Sequence, residues 1–239
     1  MLIKAIITYD GSEFYGMQIQ NNKKTVQGEI SKALKKLNID TKIFHSGRTD
    51  KGVHALNQVI SFETPDFWNL NKLKKSLNNI LYPYIYFKKI ETAPLDFHPR
   101  FSAKQRSYRY LITKKFTPFN AKYTLFYNKP VNLNKINKTL KLLTGRHDFE
   151  YFAKTGSDVN HYIREIYEAK AFEYKNLYVF KIRGNGFLRG QIRIIMDFIL
   201  KINEEKLTIK DLKKQLNKEK LISKHLASPT GLYLERIWY

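Results

Sequence analysis

Cysteine is absent from all 239 residues. Disulfides, thiolate nucleophiles and Cys-ligated zinc sites are thereby excluded, and a cytoplasmic location is the natural expectation. Long apolar runs are missing too. None approaches the roughly 20 residues a helix needs to cross a bilayer, so no membrane association is expected. The opening run Leu2-Ile3-Lys4-Ala5-Ile6-Ile7 is too short for a signal peptide and leads into Asp10-Gly11, as a strand leads into a turn. The six histidines are scattered singly, without H-E-x-x-H or paired ligand spacing, so no metal is expected. There is no G-x-S-x-G elbow. Gly11 and Gly16 have the glycine spacing of a P-loop, but Met17 and Gln18 stand where Lys and Ser/Thr are required. Gly184-x-Gly186 leads to Arg189 rather than a third glycine and lacks a parallel βαβ context. No cofactor is expected.

Acids are scarce as well: 21 Asp and Glu against 43 Lys and Arg, a formal net charge of +22. A domain this basic points to a polyanionic partner. Abundant Lys, Asn and Ile together fit an AT-rich coding bias, which accounts for about half of the excess lysine. The arginines are harder to set aside. They stand among glycines and aromatics, as in Arg100-Phe101, Arg106-Ser107-Tyr108-Arg109-Tyr110 and Arg183-Gly184-Asn185-Gly186-Phe187-Leu188-Arg189. Interleaved cations and rings suit RNA, whose phosphates attract the cations and whose exposed bases stack on the rings.

Hydrophobic periodicity gives one order of elements twice. In the first half, residues 2–9 read as a strand, and Thr25 caps a helix through Val26, Ile30, Leu34 and Leu37. Strands are predicted near 42–46 and 57–63, a helix follows Asn69 through Leu70, Leu73, Leu77 and Ile80, and residues 84–91 read as a strand. In the second half, Ser107 to Thr113 is a strand and Asn132 opens a helix. Ile163–Tyr174 and Leu177–Ile182 form a hairpin across Lys175-Asn176. Phe187–Ile202 reads as an apolar helix, Thr208 caps another, and Leu232–Trp238 is the last strand. Each half has the β-α-β-β-α-β order of ferredoxin-like folds. The fold class is therefore α+β, with an N-terminal half over 1–96 and a C-terminal half over 97–239. Their sheets are expected to join around an RNA-binding cleft.

One string stands out: Gly47-Arg48-Thr49-Asp50-Lys51-Gly52-Val53-His54-Ala55. Two glycines around an aspartate suit a bent backbone that holds one carboxylate out towards a ligand. In an arbitrary chain, such an aspartate more often just caps its own turn. This string, however, closely resembles the G-R-T-D-x-G-V-H-A signature of the TruA family of tRNA pseudouridine synthases, and further stations follow in order. Tyr9 to Gln18 resembles Y-D-G-x-x-F-x-G-W-Q, with Met17 for Trp. Phe97 to Ala103 and Arg106 to Tyr110 resemble F-x-A-R-x-x-A and R-x-Y-x-Y, with Pro99 for Ala. His147-Asp148-Phe149-x-x-Phe152 resembles H-D-F-x-x-F. Gly186 to Arg193 resembles G-F-L-x-x-M-V-R, with Gln191-Ile192 for Met-Val. Ala227 to Leu234 resembles A-P-x-x-G-L-x-L, with one extra residue before Pro229.

The resemblance implies isomerisation of uridine to pseudouridine in the anticodon stem-loop of tRNA, at positions 38, 39 and 40, by a homodimer. It implies that Asp50 is catalytic, that Arg193 forms an ion pair with it, and that Tyr108 lies against the target base. Arg48, Arg106, Arg183 and Arg189 are the expected RNA contacts. His54 reads equally well as a hydrogen bonder that orders the loop, and it stands outside the catalytic set. The alternatives are a non-catalytic RNA-binding protein on the same scaffold and a metal-dependent nuclease. The nuclease would need clustered carboxylates, and the acids near the motif are isolated.

Overall fold

The computed structural model describes residues 1–156 and 159–239. It divides into two compact units. One comprises Met1–Lys104 with Tyr233–Tyr239, and the other Gln105–Leu232.

The first unit is built on β1 (Leu2–Tyr9), whose alternate residues Ile3, Ala5, Ile7 and Tyr9 point into the core. Helix α1 (Val26–Lys36) starts where the Thr25 side chain accepts the Gly28 N–H. It buries Val26, Ile30, Ala33 and Leu34, one face at helical spacing. Strands β2 (Phe44–His45) and β3 (His54–Glu63) follow. Helix α2 (Leu70–Leu81) is capped by Asn69, which accepts from the Asn71 and Lys72 N–H groups. Strand β4 (Ile85–Thr92) completes the predicted β-α-β-β-α-β order. β1 lies in the middle, antiparallel to β3 and β4, and β2 adds to β3. Two boundaries differ from the expectation. β2 is only two residues long, and β3 begins at His54 rather than near 57, because Ala55 is already paired with Tyr9. The bent part of the signature string therefore ends at Val53.

The second unit contains β5 (Gln105–Thr113), β6 (Leu125–Phe126), α3 (Leu133–Lys141), β7 (Gly145–Asp148), β8 (Ile163–Tyr174), β9 (Leu177–Gly184), α4 (Gln191–Asn203) and α5 (Ile209–Leu216). Its strands run in the order β5-β9-β8-β7, and β6 pairs with β5. β8 and β9 turn at Lys175, in the left-handed region at φ 55°. The short strands β6 and β7 were not foreseen. Neither is long enough to show alternation. α4 buries Ile192, Ile194, Ile195, Met196, Phe198, Ile199, Leu200 and Ile202.

α4 begins at Gln191, not at Phe187 as its apolar content suggests. Gly190 adopts φ 73° and breaks the helical path, a conformation open to glycine at little cost. The Leu188 N–H donates to Gln191 Oε1, and the Gln191 N–H donates back to the Leu188 carbonyl. Phe187 to Gly190 thus form a fastened turn. The closing strand β10 (Leu232–Trp238) belongs from Tyr233 onward to the first unit, where Tyr233 and Leu234 pair in parallel with His54 and Ala55 of β3.

Buried polar groups in the second unit are held in kind. Gln215 on α5 is fully buried. Its amide donates to the Tyr151 and Ser223 carbonyls, and its oxygen accepts from the Ile222 and Ser223 N–H groups. Gln215→Met keeps much of the volume but leaves these backbone groups without a side-chain partner. A loss of roughly 2–4 kcal/mol is expected, read as a fall of several degrees in the thermal midpoint. An unchanged midpoint would contradict this role.

Candidate active site

The Asp50 loop is fixed from both sides by buried contacts in the first unit. On the N-terminal side, Gln58, fully buried in β3, donates to the Gly47 carbonyl (2.9 Å) and is bonded through its oxygen to Ser46 Oγ (2.5 Å). Thr49 Oγ1 meets the Tyr9 hydroxyl at 2.8 Å in the interior. The Thr49 carbonyl accepts the Met17 N–H, and the Phe14 carbonyl accepts the Gly52 N–H. Gly52 lies at φ 79°, and the Val53 N–H closes a turn onto the Asp50 carbonyl. The strip from Tyr9 to Met17 is therefore the frame against which the loop is pressed. Met17, where the family pattern has Trp, is wholly buried there. At the loop's tip, Asp50 is half-buried, between a buried Thr49 and an exposed Lys51. Arg48 is exposed.

His54 is 2% exposed. Its Nδ1 accepts the Gly11 N–H at 3.0 Å, and its ring stacks on Tyr233 at 4.7 Å. These contacts make it a brace between the frame and β3.

The remaining candidates lie in the second unit. Tyr108, half-buried on β5, packs edge-on against Phe187 with ring centres 5.3 Å apart. Arg106, two residues earlier on the strand, donates to the Asn185 carbonyl at 3.1 Å. The turn before α4 thus brings Arg106, Tyr108 and Phe187 together. Arg193 sits in the first turn of α4. Its Nε donates to the Ala227 carbonyl at 2.7 Å, and the Ala227 N–H donates back to the Arg193 carbonyl. Beneath it, burial raises the Tyr110 hydroxyl above the ordinary phenol range, and that hydroxyl donates to the Ser228 carbonyl. Arg189 is exposed and lies outside the helix, not one helical turn before Arg193. Arg183 differs from the other arginines. It donates to Gln105 Oε1 at 2.7 Å, lies 3.5 Å from Glu168 and covers the Tyr167 ring.

Sequence reasoning did not single out Gln58 or Ser46. A signal existed in Gln58, a lone amide ahead of the apolar run Val59-Ile60. Among the described residues, no group of three or more His, Asp or Glu is placed to hold a metal ion, and no helix is long and apolar enough to cross a membrane.

Comparison with known proteins fits this construction. The family profile described as tRNA pseudouridine synthase matches residues 5–102 and 140–239. A tRNA pseudouridine synthase A of Campylobacter jejuni subsp. doylei is 44% identical over the full length of both chains. One of Helicobacter pylori is 41% identical over 99% of this chain and 98% of its own. This chain belongs to the tRNA pseudouridine synthase family. Among solved structures, a chain of a Cbf5–Nop10–Gar1 complex aligns at a TM-score of 0.39 and 15% identity, covering 81% of this chain and 43% of that one.

The field around the loop registers on His45. Burial, with Arg48 and then Arg100 nearby, lowers its pKa from 6.5 to about 4. Between those values the unfolded chain binds a proton that the folded chain does not, so stability falls as pH drops from about 6.5 to about 4. The loss is on the order of 3 kcal/mol. His45→Gln is expected to flatten the acid limb of the stability curve over that window. Acid titrations of the thermal midpoint check this, and parallel limbs for both proteins would refute it.

Proposed function

We propose that this protein isomerises uridine to pseudouridine in the anticodon stem-loop of tRNA, at positions 38, 39 and 40, with Asp50 as the catalytic group. The observation that carries the reading is the Asp50 loop itself. The residue at the family's catalytic position is presented half-buried on a backbone fastened to buried partners on both sides. Membership of the family over the whole chain supports the reaction class.

The reaction breaks the C1′–N1 bond, turns the uracil and rejoins it through C5. Substrate and product have the same atoms, so the step needs no net oxidant or energy source. An ionised Asp50 acts as nucleophile or base. Arg193 aims it as its ion-pair partner, and the Ala227 contacts would hold the guanidinium in place. A uridine within a stem-loop must leave its stack to be reached, and Tyr108 receives it. Arg48, Arg106, Arg183 and Arg189 hold the RNA. The functional unit is a cytoplasmic homodimer.

Asp50→Asn is nearly isosteric and leaves the hydrogen bonds of Thr49 and Gly52 intact. It is expected to abolish pseudouridine formation on unmodified tRNA while affinity stays within a few-fold of wild type, because affinity comes mainly from distributed phosphate contacts. Chemical mapping of pseudouridine and filter binding at one salt concentration test this. A folded mutant with the wild-type rate would remove Asp50 from the mechanism.

The net charge of +22 also sets the salt response. Each phosphate neutralised in tRNA contributes about −0.7 to −0.9 to the slope of log affinity against log salt. A steep negative slope is expected across a salt titration. A flat one would argue against a phosphate-tracking surface.

A further inference from the structure

The Phe97 to Ala103 segment has no part in the chemistry above, yet it builds an ordered surface in the first unit. The His98 N–H donates to Ser102 Oγ, and the Ser102 N–H donates to the His98 carbonyl. His98 Nδ1 accepts from the Arg100 N–H at 3.2 Å and more weakly from that of Phe101. The Tyr239 hydroxyl donates to the Pro99 carbonyl. The turn therefore fixes where the Phe101 ring stands, although that ring is 76% exposed. Phe101 lies 4.4 Å from the His98 ring, centre to centre, and His98 lies 5.1 Å from Phe44 on β2. A cation covers each end: the Arg100 guanidinium over Phe101 and the Lys42 ammonium over Phe44.

The two segments that carry this ladder are mostly positive, although Asp40 and Asp96 border them in sequence and Asp40 and Glu63 line the same hollow as Lys42 and Phe44. Residues 97–104 contain Arg100 and Lys104 and no acid, and Asp50 is the sole acid within 41–51. His45 follows Phe44 on β2, and its lowered proton affinity reflects burial first and the Arg48 and Arg100 charges only second. An exposed phenyl ring is costly to leave in water. Rings in succession with cations at both ends are what a nucleic-acid strand with unstacked bases can cover, base on ring and phosphate on cation.

We infer that Phe44, His98 and Phe101, with Lys42 and Arg100, form a stacking platform for an unpaired nucleotide of the same RNA whose uridine reaches Asp50. Phe44 is six residues before Asp50, so the two lie within about 22 Å along the chain. That is a span a few nucleotides can bridge. This inference rests on the proposed reaction only for the identity of the RNA. The platform itself requires a strand with unstacked bases.

The test compares wild type, Phe101→Ala and Phe101→Trp in binding an unmodified tRNA transcript and a blunt RNA duplex with no unpaired base. Phe101→Ala is expected to lose roughly 5- to 100-fold in affinity for the tRNA. Phe101→Trp should retain affinity, and all three proteins should bind the duplex alike. Equal tRNA affinity for Phe101→Ala and wild type would overturn the inference. So would an equal loss on tRNA and duplex, which would indicate a general effect on fold or charge. Sedimentation of the free proteins is the third arm. A smaller assembly for Phe101→Ala, with tRNA binding unchanged at matched assembly, would assign the rings to contact with a second copy of the chain and overturn the inference. Pseudouridine mapping with wild type keeps the two readings apart. Product from wild type with no effect of Phe101→Ala sinks the platform alone, whereas no product with a selective tRNA loss sinks the reaction and leaves the platform standing.

Discussion

The close approach of two glycines to the Asp50 loop is the constraint on which the rest depends. A Cβ on Gly16, at φ 101°, would stand 2.5 Å from the Thr49 carbonyl, and one on Gly11 would overlap the Val53 carbonyl. Both contacts are backbone against backbone, so no side-chain adjustment relieves them. They let the strip after β1 lie flush on the loop before β3. Through them the Thr49, Gly52 and His54 hydrogen bonds become possible at once. The catalytic role proposed for Asp50 would need a fixed direction more than a strong bond. Packed main chain supplies that direction without burying the charge itself.

Much of this was legible in the sequence because it depends on local chemistry. Thr25, Asn69, Asn132 and Thr208 each cap the helix that their spacing predicts, the last in a reciprocal capping box with Asp211. Lys175-Asn176 turns the hairpin where two strand-like runs meet. The Asp50 string was recognisable from its glycines and its likeness to a family signature. The start of α4 was not legible, since Phe187 and Leu188 are as apolar as the helix they precede. Only the left-handed Gly190 and the Gln191 exchange with Leu188 decide the boundary. β7 was missed for a related reason. Its residues, Gly145-Arg146-His147-Asp148, carry no strand pattern and are strand only because β8 pairs with them. Gln58 was missed because its importance lies in contacts with Ser46 and Gly47, which no periodicity announces.

The distribution of charge and the distribution of buried hydrogen bonds divide the work. The groups that aim Asp50 are uncharged and interior: Tyr9, Thr49, Gln58, Ser46 and the backbone of the frame. The cations are mostly long, exposed side chains, as at Arg48, Lys51, Arg100 and Arg189. Phosphate contacts tolerate such mobility because their strength comes from charge and counterion release, not from exact geometry. Making the cations into structural ion pairs would have spent on acids the field that attracts RNA.

Arg183 shows where that division blurs. Glu168 and Gln105 hold its guanidinium, and the Tyr167 ring lies beneath it. Glu168 in turn has its carboxyl pulled below the ordinary range, first by Lys170 and less by Lys181 and Arg183. It is thus a shared anion among three cations and neutralises none of them fully. The cluster keeps a net positive charge while fixing the direction of one arginine. A guanidinium so positioned has fewer rotamers to lose on meeting a phosphate than a free surface lysine, so it contributes more direction for the same charge. In the proposed RNA-binding role, Arg183 is therefore better suited to setting the register of a strand than to attracting it, and the exposed Arg189 the reverse.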